Sequence, residues 1–150
     1  MLHDLVAHPE VWAWLAPRGD DGPAAIAQCA AWARRDAAHW DLHGFGKWLA
    51  IEDGRPVARG GLSVTFLEGR PEVEIGWAVA REHWGRGIAT RIARAALEEA
   101  SHVGIRGVVA FARTENGASL RVMEKAGLRR ERELSHAGWP HILYRSSGDA

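Results

Sequence analysis

The chain has 150 residues and a mass of 16.5 kDa, with 47% hydrophobic and 25% charged side chains, a length for one domain and a composition that argues against disorder. Its 19 basic and 19 acidic residues cancel, and a pI near 7.1 argues against a bulk nucleic-acid binder. Cys29 is the only cysteine, no apolar run nears the roughly 20 residues of a membrane span, and the opening residues lack a signal core, so the expectation is a cytoplasmic domain with no disulfide, metal, membrane or nucleic-acid partner.

The first third reads helical: a short Trp-rich helix over 5–15 with Pro9 near its start, a turn at Asp20-Asp21-Gly22-Pro23, then a helix to about residue 40 with Ala24, Ala27, Ala31 and Trp32 on one face. Strands follow over 46–51, 56–66 and 72–79, joined by the turn signals Asp53-Gly54 and Gly69-Arg70-Pro71. Short turns make these three strands an antiparallel meander. Gly85-Arg86-Gly87 opens a helix to about 101, with Ile88, Ile92, Ala96 and Ala100 as its apolar stripe. The apolar run 108–112 suits a buried parallel strand. Asn116 suits the N-cap of a helix through about 126, which Gly127 stops. Strands over 129–135 and 139–145, separated by His136-Ala137-Gly138, close a mixed α+β layer.

The segment over 74–90 is the most informative, because a strand, a two-glycine loop and a helix start follow one another directly. A helix N-terminus offers free N–H groups and a positive dipole end to phosphate, and glycines admit a pyrophosphate to the backbone. A plain tight turn that needs glycine φ angles explains the spacing equally well. The loop is not a Walker loop, which needs Gly-x-x-x-x-Gly-Lys-Ser/Thr. It is not a dinucleotide fingerprint either: Thr90 stands in place of the third glycine, position 107 is Gly rather than acidic, and antiparallel strands precede the loop.

Trp84-Gly85-Arg86-Gly87-Ile88-Ala89, the stretch from Asn116 through Ser119 to Lys125, Gly127 and Leu128, and His8-Pro9-Glu10-Val11-Trp12 together resemble the GCN5-related N-acetyltransferase (GNAT) superfamily, in its ribosomal-protein N-acetyltransferase-like branch. The resemblance covers nearly the whole chain. It implies the GNAT fold, in which the strand before the glycine loop and the next parallel strand splay apart around acetyl-CoA. It further implies pantetheine pairing near Ala78 and Val79, pyrophosphate held by the backbone around Trp84, Gly85, Arg86, Gly87, Ile88, Ala89 and Thr90, and direct acetyl transfer to a primary amine in a ternary complex. The amine belongs to a small molecule or a protein N-terminus.

Within that frame the Val79 N–H is the donor to the thioester carbonyl, and Asn116 touches the pantetheine while also serving as an N-cap. Met123 stands where many relatives carry a Tyr, so Ser119 takes over hydrogen bonding to the leaving thiolate, or packs beside the cofactor. Glu74, on one strand face with Glu72, is the candidate base, or belongs to a solvated carboxylate face. Tyr144 reads as core, and His83, His136 and His141 as structural or exposed. Arg86, Arg121 and Lys125 are candidates for the 3′-phosphate, the last two equally for a solvated helix face.

Two composition biases stand apart: eight Trp against one Tyr and three Phe, and 17 Arg against 2 Lys. GC-rich coding accounts for the Arg, while the Trp either fill the core or line an aromatic site. The resemblance implies a first strand that is absent here, by a real shortening or a misplaced start, so the strand at Lys47 becomes a sheet edge with Lys47 as its one protective charge; such an edge predicts a two-fold homodimer, unless the Trp-rich N-terminal helices cover it. The alternative function is a non-catalytic acyl-CoA-binding or sensing domain.

Overall fold

Pro9 cuts the N-terminal helical region in two. The computed structural model describes residues 1–20 and 22–148, and in place of one helix it has α1 (Leu2–Val6) and α2 (Pro9–Leu15). Proline disfavours a helical conformation in the residue before it, and His8 is accordingly extended, at ψ 127°, with its ring accepting from the Glu10 N–H. Of the expected turn, Asp21 lies outside the described residues. Pro23 does not start the next helix; α3 (Ile26–His43) begins after Ala25 and ends on Gly44 in the left-handed region at φ 72°. Its inward stripe is also displaced from the expected one. Cys29, Trp32, Asp36, His39 and Trp40 face the sheet side, and Ala27 is exposed.

The remaining elements fall within two residues of their expected bounds: β1 (Lys47–Glu52), β2 (Arg55–Leu67), β3 (Arg70–Val79), α4 (Ile88–His102), β4 (Val109–Arg113), α5 (Gly117–Lys125), β5 (Arg129–His136) and β6 (Trp139–Arg145). A single 3-10 turn, Arg81–His83, follows β3. The six strands form one mixed sheet in the order β1-β2-β3-β4-β6-β5, parallel only where β3 meets β4.

Residues paired across strands share a face, so the registers sort the side chains. On one face Leu62, Ile75, Ala110 and Tyr144 meet Ala93, Ala96 and Ala100 of α4 and Met123 of α5 to form the main core. Gly60 lets α4 sit close, since a Cβ there would lie 2.5 Å from the Ile92 methyl. The other face is divided. Ala78 and Ala80 pack under α1, α2 and Cys29 of α3 at one end, while Leu67, Val109, Leu134 and Leu143 form a small cluster at the other. Between them lies a polar strip.

Four of the eight tryptophans add a further use to the expected ones. Among the described residues, Trp14, Trp32, Trp84 and Trp139 each carry an arginine over the ring, with Arg113 only 3.6 Å from the Trp139 centroid. The excesses of Arg and Trp thus meet in cation–π contacts.

β1 is an edge strand, as expected. It is not bare: the Trp40 indole donates to the Lys47 carbonyl at 2.8 Å, and the pairing slips at Ala50/Ile51. His39 satisfies the Val64 N–H beyond the start of β1, bonding it through Nε2 at 2.9 Å while Nδ1 meets the Phe45 carbonyl, which fixes a neutral tautomer. Lys47 does not guard the edge, because its side chain runs inward to Gly76.

Candidate active site

The site is the gap between β3 and β4. The two strands pair only at Glu74–Val109 and then diverge. The Ala80 N–H bonds to the Val57 carbonyl at 2.8 Å, so even-numbered residues of β3 turn their backbone groups toward β2. Trp77 and Val79 therefore present theirs to the gap. The Val79 carbonyl accepts from the Trp84 indole at 2.9 Å, which leaves the Val79 N–H facing the opening. Trp84 itself, 40% exposed, backs the loop beneath Arg81.

At the mouth of the gap, Gly85 (φ 78°) and Gly87 (φ 75°) both occupy the left-handed region, and Gly87 is the N-cap of α4 with no side-chain cap. The first intrahelical bond comes from the Arg91 N–H, so the N–H groups of Ile88, Ala89 and Thr90 have no partner within the helix. A Cβ built on Gly85 or Gly87 meets nothing within 4 Å. The turn demands glycine, as the tight-turn reading has it, and the space above it is open. Arg86 is not a free charge. It forms a bidentate pair with Glu52 at 3.0 and 2.8 Å and touches His83. These uncapped donors and the open cradle fit a pyrophosphate.

Across the gap, β4 leads into α5. The Asn116 side chain accepts from the Ser119 N–H at 3.2 Å, so its cap role holds and places Ser119 in the first turn. Met123 is buried in the main core, and Arg121 and Lys125 lie on an exposed helix face. Tyr144 is core, 4% exposed, with its hydroxyl bonded to Glu124.

Glu74 stands at the vertex of the V, on the face away from α4 and α5. Burial pushes its carboxyl above the ordinary value, against the pull of Lys47, Arg59 and a hydrogen bond from Thr65. Glu72 does not share that role. Arg145 grips it at 3.0 and 2.9 Å while also holding Glu131 and the Gly107 carbonyl, and the hydrogen bond from Arg145 holds the Glu72 carboxyl below its ordinary value. His136 and His141 stack edge-on around Phe111, with burial lowering the pKa of both. His83 flanks Glu52. Among the described residues no group of three His, Cys, Asp or Glu is placed to hold a metal ion, and no helix is long and apolar enough to cross a membrane.

A model of the acetyltransferase (GNAT) domain matches residues 1–129. The chain belongs to the GNAT acetyltransferase family. It is similar to the uncharacterised protein YkkB of Bacillus subtilis (strain 168), at 30% identity over 120 residues, which is 78% of this chain and 70% of that protein. Solved structures share the fold. A GNAT-family acetyltransferase from Bacillus anthracis superposes with a TM-score of 0.75 at 20% identity, covering 99% of this chain and 88% of its own. An acetyltransferase from Agrobacterium tumefaciens str. C58 gives 0.76 at 22% over 97% and 82%. The aminoglycoside acetyltransferase AAC(6')-Ib, solved with ribostamycin and coenzyme A, gives 0.79 at 16% over 98% and 86%. The splayed strands and mixed sheet are thus the GNAT arrangement expected from the glycine-loop motif.

The sequence reading missed several residues at this site. Asp36 and Arg59 form a bidentate pair at 2.7 Å on the Glu74 face. Arg113 leaves β4 to sit between Trp14 and Trp139 and donates to the Ala13 carbonyl. Together with Trp139 donating to Ala16 and Arg18 to Ala137, it ties the segment after α2 to the β5–β6 turn. The surplus of Trp and Arg was the only sequence signal for these contacts.

Proposed function

We propose that this domain transfers the acetyl group of acetyl-CoA to a primary amine by direct attack in a ternary complex. The observation that carries the reading is the gap itself: two parallel strands that part after one bridge, with the Val79 N–H facing the opening and an uncapped helix N-terminus at its mouth. The N–H groups of residues 85–90 would hold the pyrophosphate, with Arg86 at the rim and Trp84 behind, and the backbone of Ala78 and Val79 would line the pantetheine path. Acetyl-CoA supplies the activated thioester.

The chain's own groups divide the work. Glu74 takes a proton from the acceptor ammonium, directly or through water, and burial, by raising its pKa, makes it a stronger base than an ordinary carboxylate. The Val79 N–H receives charge developing on the carbonyl oxygen. The N–C bond forms and the C–S bond breaks, the second proton of the attacking nitrogen passes to the departing sulfur directly or through water, and the Ser119 hydroxyl, one turn from Asn116, donates a hydrogen bond to that sulfur. Asn116 contacts the pantetheine only to the extent that its cap bond allows. The acceptor is a small-molecule amine or a peptide N-terminus, the setting is the cytoplasm, and the partly covered β1 edge pairs two copies.

Acetyl-CoA at 100 times its Kd should add about 2.7 kcal/mol of stability, roughly 5–10 °C in Tm for a chain of this size. An unchanged Tm at millimolar acetyl-CoA overturns the reading. Thiol release against an amine panel then separates catalysis from sensing, since a sensor shifts in Tm and releases no thiol.

A further inference from the structure

Lys47, Gly61 and Gly76 stand in register across β1, β2 and β3. With no side chain at either glycine, the Lys47 stem lies flat across the sheet. A Cβ built on Gly76 would lie 3.5 Å from Lys47 Nζ and 3.3 Å from Glu74 Oε1. The two charges are therefore at most about 6.8 Å apart, yet they form no ion pair within 4.0 Å. Asp36, the other nearby acid, is already engaged by both arms of Arg59. Lys47 is thus a half-buried cation with no direct ion-pair partner among the described residues, facing Glu74, Asp36, Arg59 and Arg35. Burial lowers its pKa, the sign of an incompletely compensated charge. Beside it a cavity of ≈ 290 Å³ opens between α1, α3 and β1, lined by Lys47 itself with Asp36 and Arg59 as well as by Leu2, Trp40 and Leu49. That volume is at the small end for a ligand pocket.

We infer that the acceptor is a small amino acid, its amine taken by Glu74 and its carboxylate by Lys47, with its side chain in the adjoining cavity. This deepens the acetyl-transfer reading and rests on it. A free amino acid carries an ammonium and a carboxylate a few bonds apart, and hydrogen bonds near 2.8 Å at each end suit the spacing of Glu74 and Lys47. A polycationic acceptor meets the opposite situation, because Lys47 stands beside Glu74, the nearby carboxylate without an ion-pair partner among the described residues, and like charges disfavour approach.

The test is thiol release from acetyl-CoA with each free amino acid, followed, for each that reacts, by its amide and its decarboxylated amine. The wild-type chain should prefer the amino acid over both by at least tenfold in kcat/KM. Lys47→Met should erase that preference while keeping the acetyl-CoA melting shift, and Lys47→Arg should retain part of it. Equal rates for amide and acid, or a Lys47→Met loss shared equally by all three compounds, overturns the assignment, as does a panel in which no amino acid reacts. The wild-type comparison decides the matter even if a variant does not fold. The underlying reading fails separately, through the absence of an acetyl-CoA melting shift or of turnover with any amine.

Discussion

The two ends of the β3–β4 pair are built on opposite principles. At the closed end the carboxylates are tied down: Glu72 and Glu131 share Arg145, which also donates to the Gly107 carbonyl, so β6 is bound to β3 through that side chain and to β4 through the ladder. At the open end the hydrogen-bonding groups are left over. The Val79 N–H faces a gap, and α4 begins on a glycine with no side chain to cap it. Unmade hydrogen bonds at a helix start cost stability unless something supplies an acceptor. The closed end is therefore the clamp that keeps the V in shape, and the open end keeps the unpaired donors to which the proposed function assigns a ligand's oxygens.

Breaking the open end should have the largest effect. Gly87→Val places a branched side chain where φ is 75° and the space above the loop is clear. The apo protein should lose about 1–2 kcal/mol through backbone strain, and thermal melts should show the acetyl-CoA shift abolished. A shift kept in full would mean that the loop is only a turn.

At the vertex, Glu74→Gln should lower kcat at least a hundredfold, within the range of general-base loss, with the acetyl-CoA shift intact. Because the Glu74 carboxyl titrates above its ordinary value, activity should fall as pH drops through that raised value, and the pH–rate profile of the Gln variant should lose this limb. On the far arm, Ser119→Ala should cost ten- to a hundredfold in kcat, matching one transition-state hydrogen bond of roughly 1.5–3 kcal/mol, with little change in cofactor affinity. Unchanged turnover would leave Ser119 a packing residue.

The closed end answers to stability alone. Glu72→Gln should cost about 1–2 kcal/mol at neutral pH. Its folded carboxyl titrates below the unfolded value, so its contribution is complete above the ordinary carboxylate range and is lost as pH falls through the folded value. Denaturant melts of wild type and variant should therefore converge at acidic pH. The smallest effect belongs to Asn116→Ala, about 1 kcal/mol from the lost cap, seen in the same melts.

Local signals made most of the open end legible before any coordinates. Gly85 and Gly87 were readable as a turn into a helix because glycine and helix starts are punctuated within a few residues, and the Asn116 cap is equally local. Glu74 was legible as a residue but not as a vertex, since its position depends on Val109 across the sheet. Glu72 looked equivalent to Glu74 by period, and nothing nearby in the chain announced Arg145. Lys47 looked like a guard on an exposed edge. Its inward course depends on two glycines, Gly61 and Gly76, brought beside it by strand register. The displaced stripe of α3 has a related cause: its apolar residues alone suggested one face, whereas Asp36, His39 and Trp40 turn toward the sheet to bond Arg59, Val64 and Lys47.

What the sequence by itself determined is the elements from β1 onward, the turn of the glycine loop and the family, because turn chemistry, helix periodicity and short loop motifs are properties of neighbours in the chain. What only the tertiary structure decided is which charges are free. Arg86 is tied to Glu52, Asp36 to Arg59 and Glu72 to Arg145, while Glu74 and Lys47 are left facing each other without an ion pair. A charge's availability depends on partners within a few ångströms, and those partners lie 23 to 73 residues away along the chain.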